Sequence, residues 1–297
     1  MTAVAYVICA VVWGTTWFAI RVSIGPGGYP TYFAAALRFS MAAAALLVVW
    51  RLGFARPGPR SRKQLAWLVV AGLLNAIGYG LVYTGEEQLS GGLTAAIFGT
   101  MPLATAIIAG ATGTEKIARS AMAGAVVALA GIIIIFSDRM SLSIHDALAV
   151  TFVVGAVVAS ATYSVIFKRH GDGIHPLSAV TVFITVTAVT MWAITGIGER
   201  TLPPWPPALG PTVATVYLAV LGSIVAFVSY FYLLQRATLM TVMTLVFVEP
   251  VIALAVDAVW ADQIAMTPSA YLGVGVTLSG VLVSVVGPRV TRSLRGG

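Results

Sequence analysis

Two short stretches, Thr100-Met101-Pro102 and Val248-Glu249-Pro250, decide how the chain is read. Each lies in the middle of a long apolar run, where a proline removes a backbone donor and clashes with the carbonyl one turn earlier. In a hydrocarbon environment a freed carbonyl is tolerated only where packed protein or water can satisfy it. Pro102 and Pro250 are therefore expected to bend their helices against an interior or an aqueous cavity. They stand 148 residues apart, and that offset recurs along most of the chain.

Working outward from them, 59% of the 297 residues are hydrophobic and 9% charged, against roughly 25% charged in a soluble domain. Apolar runs of about 20 residues match the thickness of a bilayer core. Ten spans follow: 3–24, 30–50, 64–84, 91–112, 119–137, 146–168, 176–197, 211–235, 238–260 and 268–287. The fold class is an all-α integral membrane protein. The first run lacks a basic leader and a cleavage site, so it reads as a retained span.

The net charge of +7 does not form a stripe for nucleic acid; the cations cluster between spans. One set of alternate connections and ends carries 13 of the 17 Lys and Arg residues, the other only Arg139 and Arg200, with Arg21 and Arg38 inside or at the ends of spans. Basic short loops stay on the cytoplasmic side. Both termini are expected there, with Glu86, Glu87, Asp138, Asp146, Glu199 and Asp262 on or near the outside.

The 148-residue offset pairs Arg21 with Arg169, Tyr79 with Phe227, Tyr83 with Phe231 and Pro102 with Pro250; at 149 it pairs Gly124 with Gly273 and Gly131 with Gly280. The chain divides into five-helix repeats at 1–142 and 143–297, and an odd number of spans turns the second upside down. Accordingly, the basic segment from Arg51 to Lys63 corresponds to the nearly neutral, proline-rich segment from Glu199 to Pro211. Inverted repeats place a transporter's site near the midplane between the halves.

The motifs Trp13-Gly14-Thr15-Thr16-Trp17-Phe18, Leu37-Arg38-Phe39, Gly92-Leu93-Thr94-Ala95, Met101-Pro102, Thr114-Glu115-Lys116 and Glu249-Pro250 resemble the drug/metabolite transporter superfamily, in its ten-helix branch of two EamA-like repeats. Within it the chain looks most like the YddG-type aromatic amino-acid exporters. Two positions depart from the pattern: Asp262 falls one place early relative to Glu115, and Ala161-Thr162-Tyr163 stands where a tryptophan motif is typical. The resemblance implies an inner-membrane exporter of small metabolites.

Helical spacing puts Asn75, Tyr79, Tyr83 and Glu86 on one stripe of the third span, and Ser223, Phe227 and Phe231 on the eighth, since residues three or four apart share a face. Trp13 and Trp17 are one turn apart, and Ser160, Tyr163, Ser164 and Phe167 share a face of the sixth span. Trp50, Trp205 and Trp260 fit an interfacial belt. Mid-span aromatics mixed with polar groups suit a cavity wall. The expected substrate-binding residues are Trp17, Arg38, Asn75, Tyr79, Tyr83, Tyr163, Phe227 and Glu249, with Pro102 and Pro250 as hinges.

Glu249 is the most costly, at about 2.5–3.5 kcal/mol for a carboxylate at the bilayer centre. Three arrangements would offset this: protonation, pairing with Arg38, or exposure to water. It could hold a substrate ammonium, a proton, or only backbone freed by Pro250. Arg38 could hold a carboxylate or bind helix ends. The small residues Ala121, Gly124, Ala125, Ala128, Gly273 and Gly280 suit intramolecular packing and a homodimer equally.

His145, His170 and His175 lack metal-ligand spacing, and no P-loop or paired-cysteine pattern is present, so no metal, cofactor or ATP drive is expected. Glu249 and Asp257 are eight residues apart, about 12 Å along a helix, which is too far for an enzyme's carboxylate pair. The expected function is export of amino acids with aromatic or bulky apolar side chains by alternating access. The alternative is broad drug or metabolite efflux, including nucleotide-sugar-like cargo. The sequence is compatible with proton antiport and with downhill export alike.

Overall fold

The structure is a computed structural model that describes residues 1–54, 58–86, 88–89, 94, 97–137, 147–204, 207–260 and 268–295, apart from the side chains of 86, 136, 253, 254, 256–260, 270 and 289–295. Arg56, Glu87, Gly92, Leu93, Ala95, Asp138, Arg139, His145, Asp146, Trp205 and Asp262 lie outside the described residues, as do the side chains of Glu86, Asp257 and Trp260.

The described regular structure is helical, as lipid requires of a chain that must satisfy its backbone internally. The first half contains α1 (Thr2–Ile24), α2 (Thr31–Arg51), α3 (Arg62–Glu86), α4 (Met101–Thr112) and α5 (Arg119–Phe136). The second contains α6 (Ala147–His170), α7 (Pro176–Gly198), α8 (Leu209–Arg236), α9 (Leu239–Met243, then Leu245–Trp260) and α10 (Pro268–Arg295). Among the described residues seven helices are long and apolar enough to cross a membrane; the helices of spans four, five and nine are apolar but shorter.

The structure refines three of the expected spans. Span four does not bend at Pro102: a turn at Gly99 and Thr100 precedes α4, and Pro102 sits in its first turn. There a missing N–H costs nothing, because the first helical donors have no partner within the helix. Span nine divides at Thr244, where Phe247 N–H donates to Thr244 O at 3.1 Å, and Pro250 lies farther on inside the second piece. Finally, α10 continues to Arg295. Hydropathy marks where lipid ends, not where the helix ends.

Packing makes the internal symmetry visible. The pair α1 with α9 has its counterpart in α6 with α4, α3 with α6 in α8 with α1, and α3 with α7 in α8 with α2. Two pairs map onto themselves: α2 packs on α7 and α5 on α10. In each self-paired contact the partners run antiparallel. Gly124 faces Gly280 while Gly131 faces Gly273, and Tyr32 lies by Gly198 while Ser40 accepts from Trp192 Nε1 at 2.8 Å. Symmetry mates that run antiparallel require a two-fold axis across the helices, which makes the repeat inverted.

At the α5–α10 seam the two helix backbones approach closely. A Cβ on Gly131 would lie 2.8 Å from Gly273 O, and one on Gly280 would overlap the backbone of Ala128. These small residues are therefore used within the chain, as small-residue packing in membranes allows.

Candidate substrate cavity

Between the halves lies a cavity of about 790 Å³ of non-atom space, its mouth included. One side is the α1 stripe Trp13, Thr16, Trp17 and Ile20, spaced at three and four residues so that all four share a face. Across it stand Tyr79 of α3, Tyr163 of α6 and Phe227 and Tyr230 of α8, with Met101 at the start of α4 and Val242 to Glu249 along α9.

The rings pack against one another in groups along the wall. Trp13 meets Phe227 edge-on at 5.4 Å and Tyr230 at 5.0 Å, Trp17 meets Phe98 at 5.9 Å, and Tyr163 meets Phe183 at 5.3 Å. Edge-to-face packing of this kind adds to the burial each ring already contributes. Several polar tips are satisfied inside the protein: Trp13 Nε1 donates to Gly222 O at 3.3 Å, and the Tyr230 and Ser164 hydroxyls are 2.7 Å apart.

Glu249 differs. It is 9% exposed, lines the cavity, and makes no hydrogen bond or ion pair with a described residue. Neither the Arg38 pair nor the bond to backbone freed by Pro250 forms. Among the described lining residues it is the one acidic side chain, so a carboxyl group faces an aromatic chamber.

Arg38 lies behind the wall, 1% exposed. Its Nε donates to Ser223 Oγ at 2.9 Å, its guanidinium lies 5.1 Å from the Tyr79 ring centre and 5.0 Å from that of Phe39, and its Nη1 has no partner among the described residues. Ser223 belongs to Leu218–Val225, a π-helical stretch of α8. Its hydroxyl donates five residues back to Leu218 O at 3.0 Å. Such wide turns recur at functional sites. Here the wide turn brings Ser223 to Arg38 and leaves Gly222 O for Trp13.

Of the expected site residues, Trp17, Tyr79, Tyr163, Phe227 and Glu249 line the cavity; Arg38, Asn75 and Tyr83 do not. Asn75 Nδ2 donates to Thr187 Oγ1 at 3.1 Å, joining α3 to α7. Tyr83 is fully buried beyond Tyr79. The repeat mates agree: Tyr79 and Phe227 both line the cavity, and Tyr83 and Phe231 are both buried away from it. Trp13, Thr16, Ser160 and Tyr230 also line it. The stripe through Trp13 and Trp17 was the available sign of the first two.

At the end of the bundle bearing Lys168 and Arg236, side chains tie the helix ends together. Leu239 N–H donates to the Glu115 carboxylate at 3.1 and 3.2 Å, and Lys168 Nζ donates to Leu234 O at 2.9 Å and Ala237 O at 2.6 Å. Arg169 donates to Thr112 O, and Gln235 to Gly171 O and Ile174 O at 2.8 Å. The acid meets a helix N-terminus, and cations meet C-terminal carbonyls, as the helix dipole favours. This basic-end clamp joins α4, α6, α8 and α9. Among the described residues, no cluster of three His, Cys, Asp or Glu could hold a metal.

The model of the EamA-like transporter family matches residues 1–137 and again 147–286. The chain belongs to that family. As an EamA-like transporter it is a multi-pass membrane protein that moves small molecules. It is 28% identical to "Uncharacterized inner membrane transporter YedA" of Escherichia coli strain K12, over 93% of this chain and 88% of that protein. It is 26% identical to "Probable terminal-alkyne amino-acid exporter" of Streptantibioticus cattleyicolor, over 94% and 91%. To "Protein PagO" of Salmonella typhimurium it is 24% identical, over 86% and 83%. A solved crystal structure shares the fold, with a TM-score of 0.79 and 16% identity over 97% of both chains.

Proposed function

We propose that this EamA-like transporter exports amino acids with aromatic or bulky apolar side chains by alternating access, in the inner membrane with both termini cytoplasmic. The observation that carries the reading is Glu249, a carboxyl group without a partner among the described residues, in a chamber of rings. A substrate ammonium would be drawn both to that carboxylate and to ring faces, while the rings take the apolar side chain. The similarity to a protein named as an amino-acid exporter supports the same cargo class. We place the boundary between the halves at 142/143, with hinges at the start of α4 beside Pro102 and within α9 at Pro250.

The test is uptake of labelled amino acids and unrelated drugs into proteoliposomes. Aromatic and branched amino acids should move, and Glu249→Gln should slow them by roughly tenfold or more, the worth of one hydrogen bond to a charged group. Failure of every amino acid to move rejects this cargo. Coupling to protons on Glu249 predicts steeper accumulation when a pH gradient is imposed; unchanged accumulation means downhill export.

One observation favours broad efflux as a second reading. Met101, Val242, Met243 and Val246 give the cavity a flexible apolar flank, and methionine adapts to varied shapes. Transport of unrelated drugs in the same panel would favour it.

A further inference from the structure

A second hollow, of about 860 Å³ of non-atom space with its mouth included, opens at the basic end where α3 and α4 each pack on α6 and leave a gap between them. Its floor is apolar, with Ile108 of α4 and Ile166 of α6. Its rim carries Lys63, Arg169 and His170, and among the described residues no carboxylate lines it. Trp67 stacks flat on His170, with ring centres 4.7 Å apart and 4° between planes.

We propose that this groove binds an anionic phospholipid, its phosphate held by Lys63 and Arg169 and an acyl chain laid along Ile108 and Ile166. Basic pockets between helices at the cytoplasmic face attract anionic headgroups, and tryptophan settles at headgroup depth. Both halves of a lipid are thus matched, one by charge and the other by apolar surface.

The internal repeat supplies an independent argument. At the symmetry-equivalent place Lys63, Trp67 and His170 become Pro211, Thr215 and Val22, and only Arg169 keeps a basic counterpart, Arg21. The cationic rim is therefore not inherited from the duplicated fold but belongs to one end alone. That asymmetry fits a ligand enriched in one leaflet. Because Arg169 also donates to Thr112 O at the end of α4, a bound headgroup would touch the basic-end clamp.

The experiment is native mass spectrometry of the full chain released from nanodiscs of phosphatidylglycerol or phosphatidylcholine, with melting curves to verify folding. Wild type should retain phosphatidylglycerol on the order of tenfold better than phosphatidylcholine. Lys63→Gln should lower retention several-fold, and Arg169→Gln further; Ile166→Trp should abolish it with every cation in place. Arg236→Gln, a cation at the same end outside the groove, should change nothing. Retention insensitive to headgroup charge, an equal loss with Arg236→Gln, unchanged retention in Ile166→Trp, or equal protection by soluble glycerol phosphate would each overturn the proposal. The readout is lipid retention, so it holds whatever the cargo proves to be.

Discussion

Arg38 and Glu249 both sit at lipid depth, where a bare charge costs at least about 2.5 kcal/mol, and they meet that cost differently. Arg38 is enclosed by Ser223 and two rings; Glu249 turns to the cavity. Ser223→Ala should therefore cost about 1–3 kcal/mol by leaving Arg38 Nε bare, read as a lower melting temperature in detergent. Glu249→Gln should leave the melting temperature nearly unchanged while transport falls. The sequence makes both residues conspicuous, because charge is rare in such spans. It does not reveal that Ser223 meets Arg38: helical spacing assumes four-residue bonds, and the five-residue bonds of Leu218–Val225 turn that face. Asn75 and Tyr83 share the stripe of Tyr79 but lie toward neighbouring helices, since a stripe fixes a face and not its depth in the bundle.

At the scale of elements, α4 and α9 are symmetry mates interrupted in different ways. Pro102 starts a helix and Pro250 sits within one, beyond the break at Thr244. Pro250→Ala restores a donor to the carbonyl of Val246. It should raise the melting temperature and slow transport, measured together on one reconstituted preparation. The clamp acts at the same helices. Lys168→Met frees the carbonyls of Leu234 and Ala237, so a cysteine introduced at Val242, in a Cys9→Ser background, should react faster with a water-soluble maleimide from the basic end. Unchanged labelling would show that the Lys168 bonds of the clamp do not limit access to Val242 from that end. None of these cross-helix bonds shows in the sequence beyond the basic character of the ends, because each joins residues more than 50 positions apart.

In the whole molecule, ten helices and an inverted repeat were legible because lipid imposes length and hydropathy, and because scarce prolines and glycines mark equivalent places. The pairing of Gly124 and Gly131 with Gly273 and Gly280 at one offset already carries the symmetry; which helix touches which needs the third dimension. Impermeant labels at the segment ending at Lys63 and at the one ending at Pro211 should react from opposite faces of an intact cell. A common face would end the inverted arrangement in the membrane.

The glycine seam between α5 and α10 has one further consequence. Among the described residues these two helices contribute none to the chamber wall, and they meet backbone to backbone. Gly131→Val should therefore lower folded yield, by about 1–3 kcal/mol of overpacking, without altering which cargo the surviving molecules accept. Because each contact there joins a residue to the equivalent region of the other copy, added bulk on one side needs room made on its mate. Along this line the two duplicated units are free to diverge only in step, whereas around the chamber each can change alone.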